Sequence, residues 1–148
     1  MLHSVVLFDL DGTLTDPAEG ICRSIQYALE KAGKPVGPLE QYYSFIGPPL
    51  QWSFQNYVGV GTEEAKTLVA YYRERFSTVG LFENTVYPGI PELLHDLKEH
   101  GAKIAVATGK PTVFSERILE HFALRQWVDF VSGIPLDREP LDKKETIL

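Results

Sequence analysis

One cysteine, one methionine and two tryptophans are all that this 148-residue chain has of those types. The lone Cys22 rules out an internal disulfide, so the fold must rest on its apolar core, and it fits a reducing cytoplasm. Apolar runs are short. None approaches the ~20 residues that a membrane-spanning helix needs, and no charged-then-apolar leader opens the chain. Positive charge is also scarce, with 14 Lys and Arg against 20 Asp and Glu and a net charge of −6. With no Lys/Arg-rich face to neutralise phosphates, a nucleic-acid polymer is excluded as the main partner. The four histidines, His3, His95, His100 and His121, have no metal-ligand spacing. His100 and His121 fall near predicted helix ends, where the helix dipole is reason enough for them.

What is present is a globular composition, 44% hydrophobic and 23% charged, in an alternating order of elements. Ser4–Leu10 reads as a buried strand that stops in a polar loop. A helix follows, with Asp16 as its cap, Pro17 in its first turn, Gly33 past its end and Ile21, Ile25, Ala28, Leu29 and Ala32 on one face. Two short helices are expected around Leu39–Phe45 and Leu50–Val58. A longer one is capped by Thr62, carries Ala65, Leu68, Val69, Tyr72, Phe76 and Val79, and ends at Gly80. Beyond it come a helix opened by Pro91 and closed by Gly101, a strand at Lys103–Ala107, a helix carrying Val113 to Phe122, and a strand at Val128–Ser132. Strand, helix, strand, helix, strand predicts an α/β class with a Rossmann-like parallel sheet. Residues 16–83 are all helical, so the expected organisation is a core of residues 1–15 and 84–148 with a helical insertion at 16–83. That insertion would be tethered above the carboxyl end of the first strand, where open parallel sheets bind ligands.

The chemistry concentrates at Asp9 and Asp11. Two carboxylates so close at a strand end repel each other unless a cation lies between them or one holds a proton. Gly12 permits the sharp turn that follows, and the Thr13 hydroxyl can fix the loop. An isolated Asp-x-Asp is a common polar turn. The full string Phe8-Asp9-Leu10-Asp11-Gly12-Thr13-Leu14-Thr15-Asp16 is far more specific.

That string resembles the first motif of the haloacid dehalogenase superfamily, and the chain is similar along its whole length to the phosphoglycolate phosphatase-like and bacterial 5′-nucleotidase-like branch. The resemblance implies that Asp9 is a nucleophile forming an aspartyl-phosphate. It implies that Asp11 is the general acid and then the base, one carboxylate being ionised while the other is protonated. Mg2+ would bind the Asp9 side chain and the Asp11 main-chain carbonyl. Thr108, ending the second strand, resembles the second-motif hydroxyl that holds the phosphate, with the Gly109 N–H at the start of the following helix adding to that anion site. Lys110 has two open readings, substrate contact or solvated surface. In Leu141-Asp142-Lys143-Lys144-Glu145, Lys143 is preferred over Lys144 as the third-motif lysine. Ile46-Gly47-Pro48-Pro49-Leu50 resembles a cap loop hanging over the site, and Gly47 is its point of close approach.

A fourth motif, which in the family supplies further acidic metal ligands, is expected some tens of residues past Lys143. The chain is therefore expected to be part of a longer protein, prone to associate through a strand edge. The implied function is hydrolysis of a small phosphate monoester of the phosphoglycolate or nucleoside 5′-monophosphate class. Open alternatives are a phosphosugar mutase, a receiver-like module phosphorylated on aspartate, and a catalytically silent binding fragment. Tyr42, Tyr43, Trp52, Phe54 and Tyr57 are expected as core of the insertion; a nucleotide substrate would make them a stacking platform.

Overall fold

The computed structural model describes residues 4–135. Its main sheet has three parallel strands, β1 (Val5–Phe8), β4 (Lys103–Pro111) and β5 (Phe130–Ile134), in the order β1-β4-β5. A two-residue antiparallel ribbon joins β2 (Thr15–Asp16) to β3 (Thr85–Val86). The expected α/β class with a parallel sheet is what the chain adopts. The helices are α1 (Ala18–Lys31), α2 (Leu50–Ser53), α3 (Thr62–Phe76), α4 (Ile90–Glu99) and α5 (Thr112–His121).

The chain divides into two compact units. One contains the segment up to Asp16 and the segment from Thr85; the other is Pro17–Asn84. In the first unit the register pairs Val6 with Ile104 and Phe8 with Val106. Ile104 and Val106 are fully buried on the face they share with Val6 and Phe8, as the two-residue period of a strand dictates. On the opposite face Leu7, Ala105 and Phe130 stand in register, with Leu7 and Phe130 more than half exposed. Leu94 of α4 and Ile118 and Leu119 of α5 complete the buried core of this unit. Asp129 ties its layers together, accepting from the Lys98 ammonium of α4 at 2.7 Å and from the Ile104 N–H of β4 at 2.8 Å.

In the second unit α1 buries Ile21, Ile25, Ala28 and Leu29, and α3 buries Ala65, Leu68, Val69, Tyr72 and Phe76. The two helices pack on each other, as their apolar stripes require. Gly20 opens α1 against the single-turn helix Gly80–Phe82, donating its N–H to the Glu83 carbonyl at 3.0 Å. A Cβ on Gly20 would stand 1.9 Å from the Gly80 carbonyl oxygen, so no side chain fits. Arg75 braces the same corner through a bidentate pair with Glu83 and a bond to Ser24. The aromatic group is split: Tyr42 and Phe54 are buried with Phe45, whereas Tyr43, Trp52 and Tyr57 are about half exposed. Only part of that group is core.

Several boundaries differ from expectation for local reasons. Asp16 pairs with Thr85 in β2, Pro17 occupies the N-cap position, and no side chain caps α1. Gly61, extended, precedes α3, so Thr62 is its first helical residue and its hydroxyl accepts from Gln55. The helix stops at Phe76, and Gly80 begins the next short turn. Most consequential is β4, which continues to Pro111 instead of giving way to a helix after Thr108. A proline disfavours helical conformation in the residue before it, so Lys110 stays extended and α5 starts only at Thr112. Gly109 is therefore not at a helix start.

Candidate active site

Beyond Phe8 the chain wraps around one carbonyl. The Leu10 oxygen receives the N–H groups of Thr13, Leu14 and Thr15 at 3.0–3.3 Å, and the Gly12 N–H returns to the Thr15 carbonyl at 2.8 Å. Gly12 lies at φ +81°, a left-handed conformation that glycine adopts without strain. Leu10 and Leu14 are fully buried and pin the loop from beneath, while Asp9, Gly12 and Thr13 are exposed. This alternation of buried leucines with exposed polar residues presents the Asp9 carboxylate at the surface. Asp9 Oδ1 accepts the Leu10 N–H at 2.8 Å, which fixes the direction of the side chain.

Asp11 is more enclosed. Its Oδ2 lies 3.1 Å from the Lys110 ammonium, with the two side chains only 18% and 8% exposed. Its Oδ1 is buried and, among the described residues, receives no hydrogen bond. Lys110 is thus not a solvated surface lysine; it crosses from β4 to the loop after β1. Because Phe8 pairs with Val106, the two strands leave the paired register side by side, and Thr108 follows two residues on. Thr108 is 3% exposed and its Oγ1 accepts the Lys110 N–H at 3.0 Å. With that lone pair engaged, the hydroxyl proton remains to donate to an anion.

The structure therefore brings Asp9, Asp11, Gly12, Thr13, Thr108, Gly109 and Lys110 into one loop cluster at the carboxyl ends of β1 and its neighbour. Gly47 belongs to the other unit, where it is exposed at φ +115°. Lys143, and Lys144 with it, lie outside the described residues. Among the described residues no group of three or more His, Cys, Asp or Glu side chains converges as a metal site, so Asp9 and Asp11 stand as the two acidic candidates. Sequence reasoning missed the β2–β3 ribbon and Gly133. An isolated glycine inside an apolar strand was the available signal for the latter, since it marks close backbone approach.

Among the described residues, no helix is long and apolar enough to cross a membrane. The haloacid dehalogenase-like hydrolase family profile matches residues 6–138. A 5′-nucleotidase of Pseudomonas aeruginosa is 46% identical over 142 residues, covering 96% of this chain and 64% of that protein. The tyrosine-protein kinase PtkA of Mycobacterium tuberculosis is 38% identical over 133 residues, covering 90% of this chain and 45% of its own length. The chain thus spans less than two thirds of these relatives. The crystal structure of a predicted phosphatase from Clostridium acetobutylicum superposes with a TM-score of 0.90 at 48% identity, covering 99% of this chain and 68% of that one. Shared loop, shared sheet and matched profile agree: the chain belongs to the haloacid dehalogenase-like hydrolase family.

Proposed function

We propose that the protein hydrolyses small phosphate monoesters, of the nucleoside 5′-monophosphate or phosphoglycolate class, through a phosphorylated Asp9. The observation that carries the reading is the enclosed Asp11–Lys110 pair beside an exposed Asp9. It supplies a nucleophile open to substrate and, next to it, a second carboxyl group and a cation for proton and charge handling. An Asp9 oxygen attacks phosphorus and the ester P–O bond breaks. The leaving alkoxide takes the proton of Asp11. Asp11 then accepts a proton from a water molecule whose oxygen attacks the phosphoaspartate, releasing phosphate and freeing Asp9. The Thr108 hydroxyl and the Gly109 N–H hold the phosphoryl oxygens and Lys110 offsets their charge, while Gly12 and Thr13, whose N–H groups are spent on the Thr15 and Leu10 carbonyls, shape the loop. Lys143 is assigned the same charge-screening role from the sequence alone.

The donor set suits Mg2+. The buried Asp11 Oδ1, which accepts no hydrogen bond among the described residues, is left to carry the transferred proton, and Asp9 with the Asp11 carbonyl offers hard oxygens. Mg2+ bound there would neutralise charge on the transferring phosphoryl group. Residues 17–84 are read as a cap that selects substrate, with Gly47 at its loop.

The relative named as a 5′-nucleotidase supports the substrate class, and the matched phosphatase structure supports the reaction. The test is Mg2+-dependent phosphate release by the full-length protein from a panel of nucleoside monophosphates, phosphoglycolate and sugar phosphates. Release from at least one member, lost on adding EDTA, is expected. Transfer of the phosphoryl group to a second sugar hydroxyl, with no free phosphate, would instead establish a mutase.

A further inference from the structure

We infer that Gly133 is a positioning residue for Lys110, and that the crossing of β5 over the end of β4 aims this lysine at Asp11. The inference rests on the site proposed above and adds a residue to it.

The ladder between β4 and β5 carries the argument. Ala107 pairs with Ser132 and Pro111 pairs with Ile134. Four residues are therefore spanned on β4 while two are spanned on β5, so Thr108, Gly109 and Lys110 together stand opposite Gly133 alone. A bulge of this size throws its residues out of the ladder and re-aims their side chains. Here those residues are the anion-holding hydroxyl and the lysine. The bulge is held closed by contact with Gly133. A Cβ at that position would stand 2.6 Å from the Lys110 carbonyl oxygen, 2.7 Å from Thr112 Oγ1 and 2.8 Å from the Thr112 nitrogen. Two of these three atoms are backbone and cannot rotate away. The Thr112 hydroxyl also reaches back to the Ile134 carbonyl at 3.5 Å, closing the far side of the same crossing. Any side chain at 133 must displace the Lys110–Thr112 backbone, and the ammonium of Lys110 is displaced with it, out of its position against an Asp11 that the Leu10–Leu14 loop holds in place.

The experiment reads Lys110 directly. Full-length wild type and Gly133→Ala are treated briefly with acetic anhydride, and labelling of each lysine is quantified by peptide mass spectrometry. Lys66, with its side chain 58% exposed, is the internal standard. In the wild type Lys110 should label several-fold more slowly than Lys66. In Gly133→Ala the Lys110 rate should rise several-fold, with Lys66 unchanged and a cooperative thermal transition retained. Should Gly133→Ala not fold, Thr112→Val decides, since it removes the hydroxyl tether at nearly constant volume and should raise Lys110 labelling in the same direction. Unchanged Lys110 labelling in the folded variant overturns the inference. A kinetic arm reads its consequence: Gly133→Ala should lower kcat/KM by about tenfold, as small misplacements at a reacting centre do, and should cost nothing further in a Lys110→Met background. Multiplying effects in that double variant would also overturn it. Because labelling needs no turnover, an inactive wild type would fail the phosphatase reading and leave the labelling result standing.

Discussion

The Lys110 ammonium of β4 lies 3.1 Å from the Asp11 carboxylate of the loop after β1, and this pair joins the two segments that the family motif alone places far apart in sequence. Both side chains are largely withdrawn from solvent, so each depends on the other. Lys110→Met should therefore leave a desolvated carboxylate without its partner and lower stability by about 1–3 kcal/mol. Turnover should fall by about 10²-fold, the usual effect of losing one preorganised charge-stabilising donor. Urea unfolding and steady-state kinetics on the same preparation check both; a variant with wild-type kcat/KM would return Lys110 to a structural role.

The corner between Gly20 and Gly80 limits the helical unit. Gly20→Ala places a methyl group 1.9 Å from a backbone oxygen. The expected cost is about 1–3 kcal/mol, as for other overpacked contacts. Thermal unfolding by circular dichroism is the measurement, and a Tm equal to the wild type would mean that the crossing opens without penalty.

Acid should release the Asp129 anchor. The Lys98 ammonium and then the Ile104 N–H hold its carboxyl below the ordinary aspartate range. A carboxyl depressed in the folded state contributes stability that is complete above its unfolded pKa and is lost as pH falls through the folded one. The Tm gap between wild type and Asp129→Asn should thus be full at pH 6 and shrink below about pH 4. A gap that stays constant to pH 3 would contradict the assignment.

Much of this was legible from sequence because it is local. The strand ending at Asp9, the turn at Gly12 and the amphipathic α1 and α3 all follow from short-range patterns. What was not legible depended on the partner strand. Thr108–Lys110 reads as a strand end followed by a helix start, and only the β5 register turns it into a bulge opposite Gly133. Lys110 had two open readings for the same reason: a lysine after a glycine says nothing of the carboxylate it will meet. Asp16 has the composition of a cap, yet Thr85, some seventy residues on, draws it into a ribbon.

The Gly47 loop is proposed to take part in substrate selection. Gly47 sits at φ +115°, where a β-branched residue is strained by about 1–3 kcal/mol. Gly47→Val should reduce kcat/KM more than its modest loss in Tm accounts for. Unaltered kinetics would make the loop a linker.

In the proposed mechanism phosphate passes covalently through the side chain of Asp9. Rapid acid quench of the full-length protein with substrate and Mg2+, followed by peptide mass spectrometry, should find a phosphoryl adduct on Asp9. In Asp9→Asn, with an unchanged circular dichroism spectrum, both the adduct and phosphate release should vanish. Phosphate release at the wild-type rate from the Asp9→Asn protein would contradict Asp9 as the nucleophile.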